Sequence, residues 1–406
     1  MSFQRRLAPA NVVKIGFVSP YDWSYHGGVR SHITHLAAEL ERMGHTTGII
    51  TSATGAEGRR TEPHVTKLGW AVPIPWNGSI ARIAVSPLLA RQTREVLERE
   101  QFDVIHLHEP LAPALPLTTL HVLKGLNTVS VGTFHAFALN KLISMPRFSY
   151  ASGRVFLQRY FHRLNGHIAV SPSAYQFASH YFPGNYEIIP NGVDLHRFSV
   201  QAEPLPQFAD EKLNIFYLGR VEPRKGLKYL LHAIPQIRAS YPNTRFIIGS
   251  DGPQRAHYEQ LVRREGWPDV IFTGRVSDDE LPRYYASCDL YCAPSTGSES
   301  QGVVLLEAMA SGKPVVASNI DGYRDVIRDE GDGILVPPRD SEALAGAICR
   351  LLGDATMRAT MGASGREHAG EFSWPRIANR IVEYYQALIE QHMRLKTQRH
   401  DLFALL

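Results

Sequence analysis

The stretch LNIFYLGRVEPRKGLKYLLHAIPQIRASYPNTRFIIGSDGP, residues 213–253, shows the alternation on which the fold prediction depends. Its two short runs of β-branched and aromatic residues are typical of strands buried on both faces, and the segment between them is typical of a helix. Similar runs follow at VIFTGRV, DLYCAPS, PVVASN and GILVPP. The repeated strand–helix pattern predicts a doubly wound α/β domain.

The first half of the chain has the same pattern. The predicted strands are VKIGFVSP, TTGIITS, DVIHLHEP, VSVGTFHAF and GHIAVSPS, and SHITHLAAELERMG is a predicted helix that Gly44 ends. We therefore expect an α/β protein with two doubly wound, Rossmann-like domains, residues 1–190 and 191–375. A C-terminal helix over 376–406 is expected to pack back on the first domain. The turn-rich segment from Asn191 to Asp210 is the predicted linker.

Composition narrows the function classes. The chain has 406 residues, 44% of them apolar, and a formal net charge of +4, which is too small to indicate a nucleic-acid partner. Three cysteines without zinc-ligand spacing favour a reducing compartment. No run is typical of a signal peptide or a transmembrane span. We expect a cytoplasmic protein, with peripheral attachment to the inner face of the plasma membrane as an open alternative.

Candidate ligands of an anion follow the predicted strands. Parallel sheets bind ligands at the carboxyl ends of their strands, so we expect the two domains to share a cleft. Gly27 and Gly28 precede a helix and could let its N–H groups approach a phosphate, although such a turn is more often a plain connection. Arg220 and Lys225, flanked by glycines after a strand, are candidate ligands of a diphosphate. The alternative is two solvated loop charges.

Two carboxylates flank the start of an apolar helix in ESQGVVLLEAMASGKPVVAS, residues 299–318. Glu299 is predicted on a loop, and Glu307 lies about 12 Å further along if the rise were fully helical. That distance excludes a tight acid–base pair and favours contacts with different parts of one long ligand, such as a nucleotide sugar. The alternative is a capping carboxylate and a solvated helix residue.

The motifs HGGV, FHAF, PNGVD, GRVEPRKG, GSDGP, FTGRVSDDEL and the Glu-x7-Glu of ESQGVVLLE resemble those of family 4 (group 1) glycosyltransferases. These are retaining, nucleotide-sugar-dependent enzymes of the GT-B fold, and the chain looks most like their bacterial phosphatidylinositol α-mannosyltransferases. The resemblance implies transfer of a hexose, with mannose from GDP-mannose favoured, to a lipid or glycolipid acceptor such as phosphatidylinositol. A UDP-sugar-dependent transferase with a soluble or polysaccharide acceptor and an inactive nucleotide-sugar-binding subunit stay open as alternatives.

The resemblance also implies site residues. The catalytic residues would be His135, Arg220, Lys225 and Glu299. The donor-binding residues would be Gly27, Gly28, Gly274, Arg275, Val276 and Glu307.

In the resemblance, Arg220 and Lys225 stabilise the departing diphosphate in place of a metal, so neither a metal nor another cofactor is expected. Glu299 would contact the donor sugar, Glu307 the ribose, residues 274–276 the base, and His135 the transferred sugar. The chain departs from the pattern at Gln301, where many relatives have an aromatic residue, which leaves the form of the sugar pocket open.

Basic residues indicate a surface that could meet an anionic membrane. Arg82, Arg91, Arg94 and Arg99 are predicted on or near one helix of the first domain, and residues 154–164 mix basic and aromatic side chains at helical spacing. Such stretches can lie on an anionic bilayer, but they also occur as ordinary amphipathic helices.

Overall fold

The computed structural model describes residues 12–24, 27–52, 64–76, 79–135 and 155–404. The chain forms two compact units, each with its own parallel sheet. Unit 1 comprises Met1–Val170, Tyr175–Ile189 and Ala378–Leu406, and unit 2 comprises Ser171–Ala174 and Pro190–Ile377. His26 of the HGGV motif and Arg154 of the aromatic segment lie outside the described residues.

Unit 1 contains a parallel sheet with the strand order β3-β2-β1-β6-β7-β8-β9, and an antiparallel β4–β5 hairpin joins it where Tyr21 pairs with Ile83. The strands are β1 (Lys14–Asp22), β2 (Thr46–Ser52), β3 (Val65–Lys67), β4 (Trp70–Trp76), β5 (Ser79–Val85), β6 (Val104–His108), β7 (Val129–Phe134), β8 (Gly166–Ala169) and β9 (Glu187–Ile188). The helices are α1 (Gly28–Arg42), α2 (Leu89–Glu100), α3 (Leu115–Val122), α4 (155–161) and α5 (Pro172–Tyr181).

All five strands predicted in this half are present. Every residue of β6 and β7 is buried, as expected for strands covered on both faces. The predicted helix is α1, and Gly44 follows its end with φ +93°, a backbone conformation that glycine adopts without strain.

The prediction of Arg82 on or near a basic helix was wrong. Arg82 belongs to strand β5, and helix α2 begins only at Leu89. The prolines of WAVPIPW made residues 70–76 a poor strand candidate, because proline cannot donate to a sheet ladder. In the described part of the sheet, β4 pairs only with β5. Its other edge has no neighbouring strand there, so backbone N–H donors are not required on that side.

Unit 2 contains a six-stranded parallel sheet with the order β12-β11-β10-β13-β14-β15, and all six predicted strands are present. They are β10 (Leu213–Leu218), β11 (Thr244–Gly249), β12 (Val270–Gly274), β13 (Leu290–Ala293), β14 (Val315–Ser318) and β15 (Gly333–Val336). The remaining helices are α6 (Leu227–Ser240), α7 (Arg255–Glu265), α8 (Leu281–Ser287), α9 (Val303–Ala310), α10 (Asp321–Arg324), α11 (Ser341–Gly353), α12 (Ala355–Ala369) and α13 (Trp374–Ala404).

The sheet of unit 2 has an apolar core on each face. In β10, Ile215 and Tyr217 pack into one core, whereas Phe216 between them packs into the other. This alternation explains why the strand sequence is continuously apolar. The polar groups that follow each strand therefore stand out at the carboxyl edge of the sheet.

The segment predicted as a linker is instead part of unit 2. Val193, Phe198, Leu205 and Phe208 are buried in the same core as Phe216. The Val193 N–H donates to the Phe372 carbonyl oxygen at 2.8 Å. The segment lacks periodicity because it covers the core as irregular chain, and turn-forming residues alone do not distinguish such a cover from a free linker.

The last helix, α13, supplies buried contacts within unit 1. The Tyr385 hydroxyl lies 2.6 Å from His106 Nδ1, and the Tyr384 hydroxyl accepts a hydrogen bond from the His167 N–H at 3.0 Å. No helix of the described residues is both long and apolar enough to cross a membrane.

Gly226 sets the contact between the turn after β10 and the loop after β13. Its φ is +72°, and a Cβ at this position would lie 1.8 Å from the Pro294 carbonyl oxygen. We expect Gly226→Ala to lower the free energy of unfolding by about 2–4 kcal/mol, because it adds a backbone collision to the left-handed strain. Urea unfolding of the full chain measures this loss.

Gly266→Ala is the matched control, because Gly266 has φ +61° but no atom within 4 Å of its added Cβ. That variant should lose only about 1 kcal/mol. Equal losses in the two variants would show that the Pro294 contact is not required.

Candidate active site

The carboxyl edge of the unit 2 sheet gathers the loops that follow its strands. Because the strands are parallel, the residues after β10, β11, β12 and β13 come out on the same edge. Adjacent loops are joined there: the Ser250 N–H donates to the Gly274 carbonyl oxygen at 2.8 Å. Arg220 follows β10 and Glu299 follows β13, so both lie at this edge.

A short turn brings Lys225 to Glu299. Residues Pro223–Lys225 form one 3₁₀ turn, and the Thr296 N–H donates to the Arg224 carbonyl oxygen at 2.9 Å. With Gly226 packed on Pro294, these contacts hold the turn after β10 against the loop after β13. The cations of one loop therefore face the carboxylate of the other.

The Glu299 carboxylate is the centre of this arrangement. Its Oε1 atom accepts from Lys225 Nζ and from Arg224 Nη1, each at 2.7 Å, and from Ser295 Oγ at 3.3 Å. The side chain is only 13% exposed. Every hydrogen bond of this carboxylate within the described residues uses Oε1, which leaves Oε2 as an acceptor for a ligand hydroxyl.

The loop that carries Glu299 has an unusual backbone. Ser298 has φ +60°, a left-handed conformation that costs a residue with a Cβ about 1 kcal/mol or more. A Cβ on Gly322 would lie 2.1 Å from the Glu299 carbonyl oxygen, so helix α10 packs directly on this loop. The surrounding contacts hold the carboxylate in place against local strain.

The Glu222 carboxylate lies close to both arginines of the turn after β10, Arg220 and Arg224. The distances are 3.1 Å to Arg224 Nη2 and 3.7 Å to Arg220 Nε. The Arg220 side chain is 48% exposed, so the two cations predicted as diphosphate ligands differ: Lys225 is held by Glu299, whereas Arg220 is half in solvent.

Glu307 lies apart from this cluster. Helix α9 begins at Val303, so Glu299 precedes the helix and the fully helical distance between the two carboxylates does not apply. The Tyr285 hydroxyl donates to Glu307 Oε2 at 2.9 Å. Burial raises the pKa of the Glu307 carboxyl to about 7, although the hydrogen bond from Tyr285 opposes the rise. Glu307 is therefore not the solvated helix residue of the alternative reading.

The residues predicted to contact the base begin at the end of β12. Gly274 is buried with φ +73°, and an added Cβ would lie 2.9 Å from Arg255 Nη1. Arg275 is exposed, and Val276 packs partly against the core.

Gln301, where the chain departs from the family pattern, has a role within unit 2. Its Oε1 accepts from both the backbone N–H and the side-chain amide of Asn191, each at 2.7 Å. The pair is buried and joins the PNGVD segment to the loop before α9. An aromatic side chain could not make these bonds, so the departure from the family pattern gives Gln301 a structural contact with Asn191.

In unit 1, the glycines predicted to approach a phosphate begin helix α1. Gly27 is the N-cap residue and offers no side-chain cap, and a Cβ on either Gly27 or Gly28 would meet no atom within 4 Å. The Arg30 guanidinium lies over the Trp23 ring, 5.1 Å from its centroid. The helix thus begins at a glycine, which has no side chain to cap the first turn, and it carries a cation close to that end, an arrangement suited to an anion.

His135 follows β7 in unit 1. Its backbone N–H donates to Glu109 Oε1 at 2.9 Å, and its ring Nε2 lies 2.8 Å from His108 Nδ1. Burial lowers the pKa of the His135 ring well below its ordinary range, so the ring is neutral at physiological pH. Glu109 has φ +49°, a strained conformation of the kind that clusters at functional sites.

Comparison with known proteins identifies the family. The model for Glycosyltransferase Family 4 matches residues 26–197, and the model for Glycosyl transferases group 1 matches residues 212–354. The phosphatidyl-myo-inositol mannosyltransferase of Mycolicibacterium smegmatis is 34% identical over 377 residues, which cover 93% of this chain and 94% of that protein. The chain belongs to glycosyltransferase family 4.

Solved structures agree on the fold of this family 4 glycosyltransferase. Sucrose-phosphate synthase from Thermosynechococcus elongatus matches with a TM-score of 0.75 at 23% identity, covering 93% of this chain and 100% of that one. Anabaena HepE in complex with UDP matches with a TM-score of 0.73 at 20% identity, covering 92% and 100%. The predicted GT-B fold of two Rossmann-like domains is confirmed.

Sequence reasoning missed several residues of this candidate site. Arg224 and Glu222 lie between the two predicted cations, and the charge-dense run EPRKG was the signal for them. No local signal pointed to Ser295 or Tyr285, and the PNGVD motif contained Asn191 without showing its partner, because these contacts depend on tertiary structure.

The raised pKa of Glu307 gives a pH-dependent stability. Between the ordinary glutamate value of 4.5 and about 7, the folded glycosyltransferase holds a proton that the unfolded chain has lost. This contribution is therefore fully present below about pH 4.5 and is lost as the pH rises through about 7. Glu307→Gln keeps an acceptor for Tyr285 but cannot titrate. We expect it to match wild type at pH 5 and to exceed it by about 1–3 kcal/mol at pH 8.

Denaturant unfolding of the full chain at both pH values measures the difference. Glu265→Gln, which removes an exposed carboxylate from helix α7 in the same unit, is the control and should follow the wild-type pH profile. If Glu307→Gln also follows that profile, the carboxylate is already ionised in the folded state.

Proposed function

We propose that the protein is a retaining mannosyltransferase that transfers mannose from GDP-mannose to phosphatidylinositol or a related glycolipid without a metal ion. Two findings support this proposal: the mannosyltransferase name of relatives that are 34–35% identical over 93% of the chain, and the cationic cluster at the carboxyl edge of unit 2. The observation that carries it is the Glu299 Oε1 atom held between Arg224 and Lys225.

The contacts of Glu299 leave capacity for a donor. An ammonium group has three N–H donors, so Lys225 can keep its bond to Glu299 while it donates to a phosphate oxygen. The half-exposed Arg220 side chain can direct the N–H donors of its planar guanidinium to the same diphosphate. In this proposal the diphosphate joins an existing charge network, and Glu299 Oε2 accepts a hydrogen bond from a hydroxyl of the donor sugar.

The chemistry then needs no enzyme nucleophile. As the bond between the anomeric carbon and the diphosphate oxygen breaks, negative charge grows on that oxygen, where Arg220 and Lys225 stabilise it. The acceptor hydroxyl forms the new bond from the face that the diphosphate leaves, and its proton passes to the departing phosphate oxygen. The sugar thereby keeps its anomeric configuration.

Lipid acceptors imply contact with a membrane, and unit 1 has a surface that fits this part of the proposal. Trp70 and Leu88 are more than half exposed, and Trp70 pairs with Val85, three residues before Leu88. The basic side chains of α2 are largely neutralised within the helix, since Arg91 pairs with Glu95 and Arg94 with Glu98. Exposed apolar side chains therefore contribute more to docking than the predicted basic charge.

The substrate assignment is tested with purified protein and a panel of GDP- and UDP-sugars. Each donor is offered with vesicles containing phosphatidylinositol, and separately with a soluble sugar acceptor. We expect efficient transfer only from GDP-mannose to the lipid, with a mannosyl product of retained configuration by NMR. Preference for a UDP-sugar, or transfer only to the soluble acceptor, would replace the donor or the acceptor in the proposal and leave the glycosyltransferase assignment in place.

The leaving-group assignment is tested by removing each cation. Arg220→Ala and Lys225→Ala should each lower turnover more than tenfold, because a charge-assisted hydrogen bond to the diphosphate is worth about 1.5–3 kcal/mol. Lys228→Ala is the matched control, since this exposed lysine lies three residues further along in helix α6. EDTA should leave wild-type turnover intact. Wild-type rates in either site variant, or a strict requirement for a divalent ion, would refute the metal-free mechanism.

A further inference from the structure

Four histidines lie together in unit 1. His106 and His108 project from β6, His32 from α1, and His135 follows β7. The rings of His106 and His108 stack with their centroids 4.5 Å apart. His106 uses both ring nitrogens in hydrogen bonds, to the Tyr385 hydroxyl at 2.6 Å and the Thr133 hydroxyl at 2.5 Å. It is therefore a structural residue. His108 Nδ1 and His135 Nε2 share a hydrogen bond at 2.8 Å, so a metal ion would either replace this bond or bind the other nitrogen of each ring.

The remaining three imidazoles form a nearly equilateral triangle. The ring centroids of His32, His108 and His135 are 5.0–5.1 Å apart. One ring nitrogen from each can be chosen so that all three atoms lie within 4.8 Å of one another. A tetrahedral zinc ion with Zn–N bonds of about 2.0–2.1 Å needs nitrogens about 3.4 Å apart and ring centroids about 5 Å apart. The rings are thus at ligand spacing, and small side-chain rotations would bring the nitrogens together.

The state of these rings also suits a metal ion. All three rings are wholly or largely buried, which keeps competing water away from their nitrogens. His108 Nε2 is buried and has no hydrogen-bond partner among the described residues, an unusual state for a buried polar atom. Glu109, whose carboxylate accepts from the His135 N–H, supplies negative charge next to one of the three residues.

We propose that His32, His108 and His135 form a binding site for zinc or a similar late first-row divalent ion, and that the bound ion inhibits sugar transfer. Three imidazoles favour such ions over magnesium, which prefers oxygen ligands. A bound ion occupies a ring nitrogen of His135 and ties helix α1 to the ends of β6 and β7. The inhibition rests on the proposed glycosyltransferase function and on the contact with the transferred sugar that the family resemblance implies for His135; the binding itself does not.

The test uses tag-free, full-length protein that has been treated with EDTA and desalted. Calorimetric titration with Zn²⁺ should show one equivalent bound, and Co²⁺ should give the visible spectrum of a tetrahedral site without a thiolate charge-transfer band. His32→Gln and His108→Gln should each weaken Zn²⁺ binding at least tenfold. His35→Gln, which removes a half-buried histidine from the same helix as His32, should bind like wild type.

Wild-type binding is measured directly, so the test does not depend on the stability of any variant. Absence of saturable Zn²⁺ binding at high micromolar concentration, a cobalt–thiolate band, or equal affinity in all three variants would overturn the site. Zn²⁺ should also inhibit transfer over the concentration range in which it binds, and EDTA should reverse the inhibition. Stoichiometric binding to the three histidines without inhibition would remove the inhibitory role and keep the site, whatever the donor proves to be.

Discussion

The hydrogen-bond network around Glu299 Oε1 is the interaction on which the proposed donor site depends. One oxygen atom accepts from Lys225, Arg224 and Ser295, and these residues come from two loops that are far apart in sequence. Three nearby cations would repel one another without a counter-charge, and the carboxylates of Glu299 and Glu222 supply it. Because these carboxylates neutralise the cationic turn, the turn can stay folded without a ligand. Its N–H donors can still bind a diphosphate.

The backbone makes this network rigid. Gly226 and Gly322 each lie where a Cβ would collide with the carbonyl oxygen of a neighbouring loop, at Pro294 and Glu299. Close backbone contact fixes the distance between the two loops to within a fraction of an ångström. The charges are therefore held in position before any ligand arrives, which is the condition for electrostatic stabilisation of a departing phosphate without reorganisation.

Local patterns in the sequence were sufficient for the six strands of the unit 2 sheet and for the ends at which Arg220 and Glu299 lie. A doubly wound fold carries its signal in short apolar runs that end in glycines and polar residues, and each run can be recognised by itself. The partners of those residues could not be predicted, because Arg224 and Glu299 are 75 residues apart and meet only through tertiary packing. The pairing of Gln301 with Asn191, 110 residues away, is hidden for the same reason. The irregular cover at 191–210 was mistaken for a linker because burial without periodicity leaves no sequence pattern.

The central claim is that Glu299 and the donor diphosphate share the same cations. The most direct measurement compares Glu299→Gln with wild type in calorimetric binding of the nucleoside diphosphate and in sugar transfer. The variant should bind the nucleoside diphosphate at least as tightly as wild type, because a competing carboxylate is gone, while transfer falls more than tenfold. A parallel loss of nucleotide affinity and transfer would show that Glu299 only supports the fold of the loop, and unchanged transfer would remove it from the site.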